Sequence, residues 1–148
     1  MLSAIQAGKV AGCTLAQQDI VHLETTVDHV MAQGARFVFY DRNATLAYSK
    51  PYTDLARLDA VAWELLTEIP RLDGFCKYFQ NRHQEERYVD RMERRMAEFL
   101  VHDSVSLARF IRIGVCTPAK AAQVQAILDA AGVPLQAEVK TDWYFLGQ

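Results

Sequence analysis

The sequence predicts an α+β fold, on three observations. Strands and helices come in mixed order, without strict βαβ alternation, and the strands cluster late. A helix with complete start and stop signals occupies "TPAKAAQVQAILDAAGVP", Thr117 to Pro134. The segment after it, "LQAEVK" at Leu135–Lys140, alternates apolar and polar residues as a strand with one wet face does. At 148 residues the chain fits one domain that buries a real core. No internal repeat, low-complexity tract or linker divides it, so a single domain over residues 1–148 is expected.

Each element has its own local reason. Met1 to Ala7 is apolar and has no capping residue ahead of it, an unusual way for a domain to begin. "DIVHLE" (Asp19–Glu24) sets Ile20, His22 and Glu24 against Val21 and Leu23, as a short strand does. In "TTVDHVMAQG", Thr25 or Thr26 caps a helix whose Val27, Val30 and Met31 share a face, and Gly34 ends it. "RFVFY" (Arg36–Tyr40) is aromatic and β-branched, hence strand, and "DRNA" (Asp41–Ala44) is loop-prone. From Thr53 to Leu66, Leu55, Leu58, Ala62, Leu65 and Leu66 recur at helical spacing. Pro70 to Gly74 breaks that pattern. "HQEERYVDRMERRM" (His83–Met96) reads as a charged helix with a thin stripe of Val89, Met92 and Met96. Glu98–His102 and Arg109–Cys116 read as strands. In the helix capped by Thr117, Pro118 takes the first position, Val124, Ile127, Leu128 and Ala131 face the core, and Gly132 and Pro134 stop it. The closing "DWYF" (Asp142–Phe145) reads as an aromatic strand end.

Composition excludes several classes. About half the residues are hydrophobic and the net charge is −2, an ordinary globular balance that does not announce a nucleic-acid binder. No apolar run approaches the roughly 18 residues of a membrane helix. The first residues do not form a signal peptide, because the lysine lies inside the apolar segment. Cys13, Cys76 and Cys116 are odd in number and lack CxxC spacing. They read as reduced thiols, which points to a cytoplasmic protein. His22, His29, His83 and His102 lack metal-ligand spacing, so no metal is expected.

Two features carry candidate chemistry. In "RRMAEFLVHD" strand alternation turns Met96, Glu98, Leu100 and His102 one way and Ala97, Phe99 and Val101 the other. Glu98 is then either an ordinary exposed strand residue or a catalytic carboxylate at a cleft edge, able to steady a developing cation. Arg87, Arg91, Arg94 and Arg95 stack on one side of a helix. They form either a solvated face paired with Glu85, Glu86 and Glu93 or a set of phosphate contacts, with Tyr78, Phe79 and Tyr88 as stacking partners.

Four segments taken in order, "MLSAIQAG", "RFVFYDRNATL", "RRMAEFLV" and "KTDWYF", resemble the DarT family of DNA ADP-ribosyltransferase toxins over essentially the whole chain. The resemblance implies an ADP-ribosyltransferase-like split β-sheet fold with flanking helices. It implies NAD as co-substrate, no metal, and single-stranded DNA modified on thymidine. It also implies a toxin–antitoxin setting with a macrodomain antitoxin. Glu98 matches the family's catalytic glutamate, which holds a hydroxyl of the nicotinamide ribose, stabilises the oxocarbenium-like transition state and assists proton removal from the base. Asn43 matches an acceptor-site position that holds His or Asn, flanked by Asp41 and Arg42. Met1, with Leu2, matches a pocket-lining "PMLYAI"-like element, with Ser3 in the aromatic's place. The stretch from about Thr45 to Arg95 resembles the part that shapes the DNA-binding face, which favours Arg91, Arg94 and Arg95 as phosphate contacts.

One departure sets a further expectation. Family members carry a preceding part with a "YHITH"-like strand, NAD-gripping arginines and a "PRSP"-like turn. The match here starts at Met1, so the chain is expected to be truncated relative to the family, through an internal Met taken as start, a remnant gene or a natural split. Positioning supplies about 7–11 kcal/mol of a catalysed barrier, so Glu98 without those arginines is expected to be nearly inert. The alternative expectation is a non-catalytic module that binds single-stranded DNA or an antitoxin.

Overall fold

A computed structural model describes Ile5, residues 8–67 and residues 90–144, the Met92 side chain excepted. In chain order the strands and α-helices are β1 (His22–Glu24), α1 (Val27–Met31), β2 (Phe37–Tyr40), β3 (Pro51–Tyr52), α2 (Trp63–Thr67), α3 (Arg91–Arg94), β4 (Glu98–Val101), β5 (Arg112–Val115), α4 (Pro118–Ala130) and β6 (Ala137–Val139). Short 3-10 turns at Gln17–Asp19, Leu55–Ala60, Leu107–Arg109 and Thr141–Trp143 join them. They divide between two compact units, one of Met1–Gly34 with Val105–Gly147 and one of Ala35–Ser104.

The first unit holds a three-stranded sheet in the order β1-β5-β6. β1 runs antiparallel to β5, with Glu24 opposite Arg112, and β6 runs parallel to β5. A parallel neighbour needs a crossover, and α4 supplies it. Thr117 Oγ1 accepts from the Lys120 amide at 3.2 Å, and Pro118 stands where a missing N–H costs nothing. Gly132 takes a left-handed φ of 64° that ends the helix. Leu128 enters a core with Ile113, Val115 and Leu135, against which Val124 and Phe110 pack. Ile127, expected inward, is 62 % exposed. The inward stripe passes through Ala121, Val124 and Leu128, a narrower face than the spacing predicts.

Arg112 ties the three strands together. Its Nε lies 2.6 Å from Glu24 on β1 and its Nη1 2.8 Å from Glu138 on β6, which also meets Lys140 at 3.0 Å. The hydrogen bond to Glu138 raises the guanidinium pKa, and the same bond, with Lys140, lowers that of Glu138. The expected terminal strand is a 3-10 turn at Thr141–Trp143, followed by buried Tyr144. The Tyr144 hydroxyl donates to the Ile20 carbonyl at 2.6 Å.

The second unit holds an antiparallel sheet in the order β3-β2-β4. Phe39 faces Phe99 and Tyr52, and Phe37 faces Val101. One side of this sheet is therefore an aromatic stack. Phe37 and Phe99 are 5.1 Å apart between ring centres, and so are Phe39 and Tyr52, with rings near parallel. Phe39 is 1 % exposed, as a central position in such a stack requires.

Two expected helices change here. The Thr53–Leu66 pattern divides into a 3-10 turn at Leu55–Ala60, capped by Asp54, and α2, with an extended residue at Val61 between them. Of the spaced residues Ala62 and Leu65 are buried and Leu55, Leu58 and Leu66 half-buried, with Val61 buried beside them, so the spacing reported an inward side but not the break in the helix. The continuous helix expected over His83–Met96 does not pass Asp90, which sits at φ 54° in the left-handed region and starts the four-residue α3. A regular helix cannot include that conformation. Residues 83–89, with Arg87, Tyr88 and Val89, lie outside the described residues, as do Met1, Cys76, Tyr78, Phe79 and Phe145.

Candidate active site around Glu98

β4 begins at Glu98, directly opposite Tyr40, the last residue of β2. Alternation is as the sequence predicts. Phe99 and Val101 join the aromatic side, while Glu98 and Leu100 point to the other, where Leu100 is 44 % exposed. The chain leaving β2 folds back over the start of β4. Asn43 makes that turn, its Oδ1 accepting from the Thr45 amide at 2.9 Å and the Thr45 hydroxyl at 2.6 Å. Its own amide donates to the Glu93 carbonyl at 3.2 Å. The next amide, that of Ala44, donates to Glu98 Oε2 at 3.0 Å. Glu98 is half-buried, and its Oε1 accepts no bond among the described residues.

The carboxylate is thus held by one oxygen and presents the other. A group so fixed can accept a hydroxyl from a substrate in a set orientation, which a freely rotating glutamate cannot do. The Asn43 amide nitrogen is likewise uncommitted among the described residues, since both of its side-chain bonds use Oδ1.

Asp41 and Arg42 support this loop. Asp41 Oδ1 accepts from the Lys50 amide at 3.1 Å, and its Oδ2 pairs with Arg42 at 3.3 Å. Arg42 also reaches Asp90 at 3.4 Å and lies over the Tyr48 ring at 5.3 Å. The turn at Asp41–Ala44, the left-handed residue before α3 and the start of β4 are therefore linked through three side chains.

The basic run divides by burial. Arg91 is 3 % exposed and so offers a phosphate little surface in this arrangement. Arg94 and Arg95 are half-buried, and Arg95 Nη1 donates to the Leu65 carbonyl. Sequence reasoning missed the Ala44 amide, the Glu93 carbonyl and Asp90. The first is a backbone group 54 residues from Glu98, for which no side-chain signal exists. Among the described residues no group of three or more His, Cys, Asp or Glu is placed to hold a metal ion, and no helix is long and apolar enough to cross a membrane.

Known proteins resemble this chain in sequence and in fold. The family model described as DarT, ssDNA thymidine ADP-ribosyltransferase, matches residues 1–145. A DNA ADP-ribosyl transferase of Thermus aquaticus is 28 % identical over 133 residues, 87 % of this chain and 51 % of that protein. The chain therefore spans about half the length of that curated relative. Among solved structures, DarT of Thermus sp. 2.9 in complex with NAD+ superposes with a TM-score of 0.80 at 24 % identity, covering 97 % of this chain and 66 % of that one. The same protein in complex with ADP-ribosylated ssDNA gives 0.79 at 24 % identity, over 97 % and 63 %. These likenesses establish the α+β, ADP-ribosyltransferase-like fold. The match of the family model over nearly the whole length establishes that the chain belongs to the DarT family.

Proposed function

We propose that this chain carries the catalytic carboxylate and the acceptor loop of an NAD-dependent enzyme that ADP-ribosylates thymidine in single-stranded DNA. The observation that carries the reading is the bond from the Ala44 amide to Glu98, inside a family match over residues 1–145. It unites two segments that the resemblance assigns separately, one to catalysis and one to the acceptor base. In the reaction the bond between nicotinamide and its ribose breaks, the ribose carbon joins the base, and the base loses a proton. Glu98 Oε1 accepts the ribose hydroxyl and faces the positive charge that develops as nicotinamide leaves. Asn43 directs its side-chain amide at the acceptor, and Asp41 and Arg42 hold the loop. Met1 belongs to the pocket wall in this reading, and Arg94 and Arg95 are the remaining phosphate contacts of the basic run. The NAD+ and ADP-ribosylated-DNA complexes of the Thermus sp. 2.9 protein support the choice of substrates. A macrodomain antitoxin that removes the mark, a toxin–antitoxin setting and a cytoplasmic location complete the proposal.

The test uses the 148-residue chain and the product of the complete reading frame that encodes it. Nicotinamide release from NAD is followed with and without thymidine-containing single strands. DNA-stimulated release that Glu98→Gln lowers by about 10²–10⁴-fold supports the role. Release that Glu98→Gln leaves unchanged refutes it. A second reading, a non-catalytic module for single-stranded DNA or an antitoxin-like partner, draws on the 51 % coverage of the Thermus aquaticus protein. It predicts salt-dependent DNA binding without nicotinamide release from either product.

A further inference from the structure

β2 and β4 pair in a register that sets Tyr40 against Glu98 and Val38 against Leu100. The His102 amide donates to the Arg36 carbonyl at 2.9 Å, which carries the pairing one step further. Because side chains alternate, Arg36, Val38 and Tyr40 share a face with Glu98, Leu100 and His102. That face is graded. The Glu98 carboxylate stands at one end, the exposed Leu100 beside Val38 in the middle, and two basic side chains at the other end. The Arg36 guanidinium lies against the His102 imidazole, 3.0 Å from Nδ1 and 3.2 Å from Nε2. Asp103 meets His102 Nδ1 at 2.7 Å and is itself largely exposed. Both basic residues are exposed, and they open onto a cavity of about 300 Å³ lined by Arg36, Phe37, Val38, Leu100, Val101 and His102.

We propose that Arg36, seconded by His102, is a phosphate subsite for the single-stranded DNA substrate, placed along the same sheet face as Glu98. This inference rests on the function proposed above. Charge complementarity selects the occupant: a guanidinium beside an imidazole favours a phosphodiester, and the exposed Leu100 next to it offers an apolar surface for a base. Position selects DNA over the pyrophosphate of NAD. Four residue steps separate Glu98 from His102, roughly 13 Å at 3.3 Å per residue. The pyrophosphate is tethered to the reacting ribose by one methylene and stays nearer Glu98, whereas a polymer backbone continues past it. The site fixes the strand's register and reads no base, as phosphate contacts do.

The experiment measures affinity of the full-frame protein for a thymidine-containing single strand across a salt series, with nicotinamide release in the absence of DNA as a second readout. Arg36→Gln should weaken binding about three- to fivefold, the scale of one exposed charge pair. It should also flatten the salt slope by about 0.7, the value for one phosphate on a single strand. Arg36→Lys should keep the slope, and DNA-free nicotinamide release should not change. Trimming the strand one nucleotide at a time should abolish the Arg36 effect at a defined length. A wild-type protein that binds and modifies DNA while Arg36→Gln keeps the same slope overturns this inference and leaves the function standing. A higher KM for NAD without DNA in Arg36→Gln overturns it in favour of a nucleotide site. Absence of DNA binding by the wild type overturns both.

Discussion

Gly114 lies at the centre of β5, opposite His22 on β1 and beside Glu138 on β6. A Cβ at this position would meet two ring carbons of Trp143 at 2.3 and 2.5 Å. Carbon atoms rest at about 3.5–4.0 Å, so the indole must retreat by more than an ångström. It has little room to do so. Its backbone amide is bound to the Lys140 carbonyl at 3.1 Å, His22 packs edge-on at 5.7 Å, and the next residue, Tyr144, is fixed by its bond to Ile20. Overpacking costs about 1–3 kcal/mol, and the rigid ring places Gly114→Ala near the top of that range. For a chain near 150 residues this corresponds to a fall in Tm of roughly 6–12 °C. The assay is a thermal melt followed by circular dichroism, repeated in a Trp143→Ala background. There the alanine methyl has space, and the Gly114→Ala penalty should shrink to about 0.5 kcal/mol or less, leaving a coupling energy of about 2.5 kcal/mol. A Tm for Gly114→Ala within a degree of wild type, or equal penalties in both backgrounds, would refute the claim that the absent side chain is what seats Trp143.

Other predictions follow from the same structure. Burial lowers the His22 pKa, and among the described residues its Nε2 has no hydrogen-bond partner. The unfolded chain then takes up a proton that the folded one resists, so stability falls as pH drops through the ordinary histidine value of about 6.5. Asp19 and Glu138, lowered by hydrogen bonds from Lys120 and Arg112, lose their contribution only below the ordinary carboxylate range. Urea unfolding between about pH 7 and 5 should therefore show a slope that His22→Phe removes, and an unchanged slope in that variant contradicts the assignment. Thr117→Ala deletes the acceptor for the Lys120 amide and should cost about 1 kcal/mol, read as a lower urea midpoint with an unchanged m-value.

What was legible in the sequence follows how local the physics is. Thr117, Pro118 and Gly132 mark α4 almost to the residue, because capping and helix termination depend on a few neighbours. The direction of Glu98 is legible for the same reason, since alternation needs only the strand itself. The run from His83 to Met96 misleads. Its charges suit a helix, yet Asp90 adopts a left-handed conformation where its carboxylate meets Arg42, a residue 48 positions away. Arg91 misleads in a related way, for a charged residue reads as exposed until long-range packing buries it. What turns Glu98 from a strand residue into a positioned carboxylate is the Ala44 amide, and backbone groups have no signature in a sequence. The ordered family segments supplied what periodicity could not, a catalytic role expected of Glu98 and an acceptor-site role expected of Asn43.

The Glu98 carboxylate, held by the Ala44 amide, is proposed as the catalytic group of a thymidine-directed ADP-ribosyltransferase. Mass spectrometry of single strands incubated with NAD and the full-frame protein tests it most directly. One ADP-ribose adduct is expected on thymidine-containing strands, none on strands without thymidine, and about 10²–10⁴-fold less adduct with Glu98→Gln. Adducts formed equally by wild type and Glu98→Gln, or formed regardless of thymidine, would contradict it.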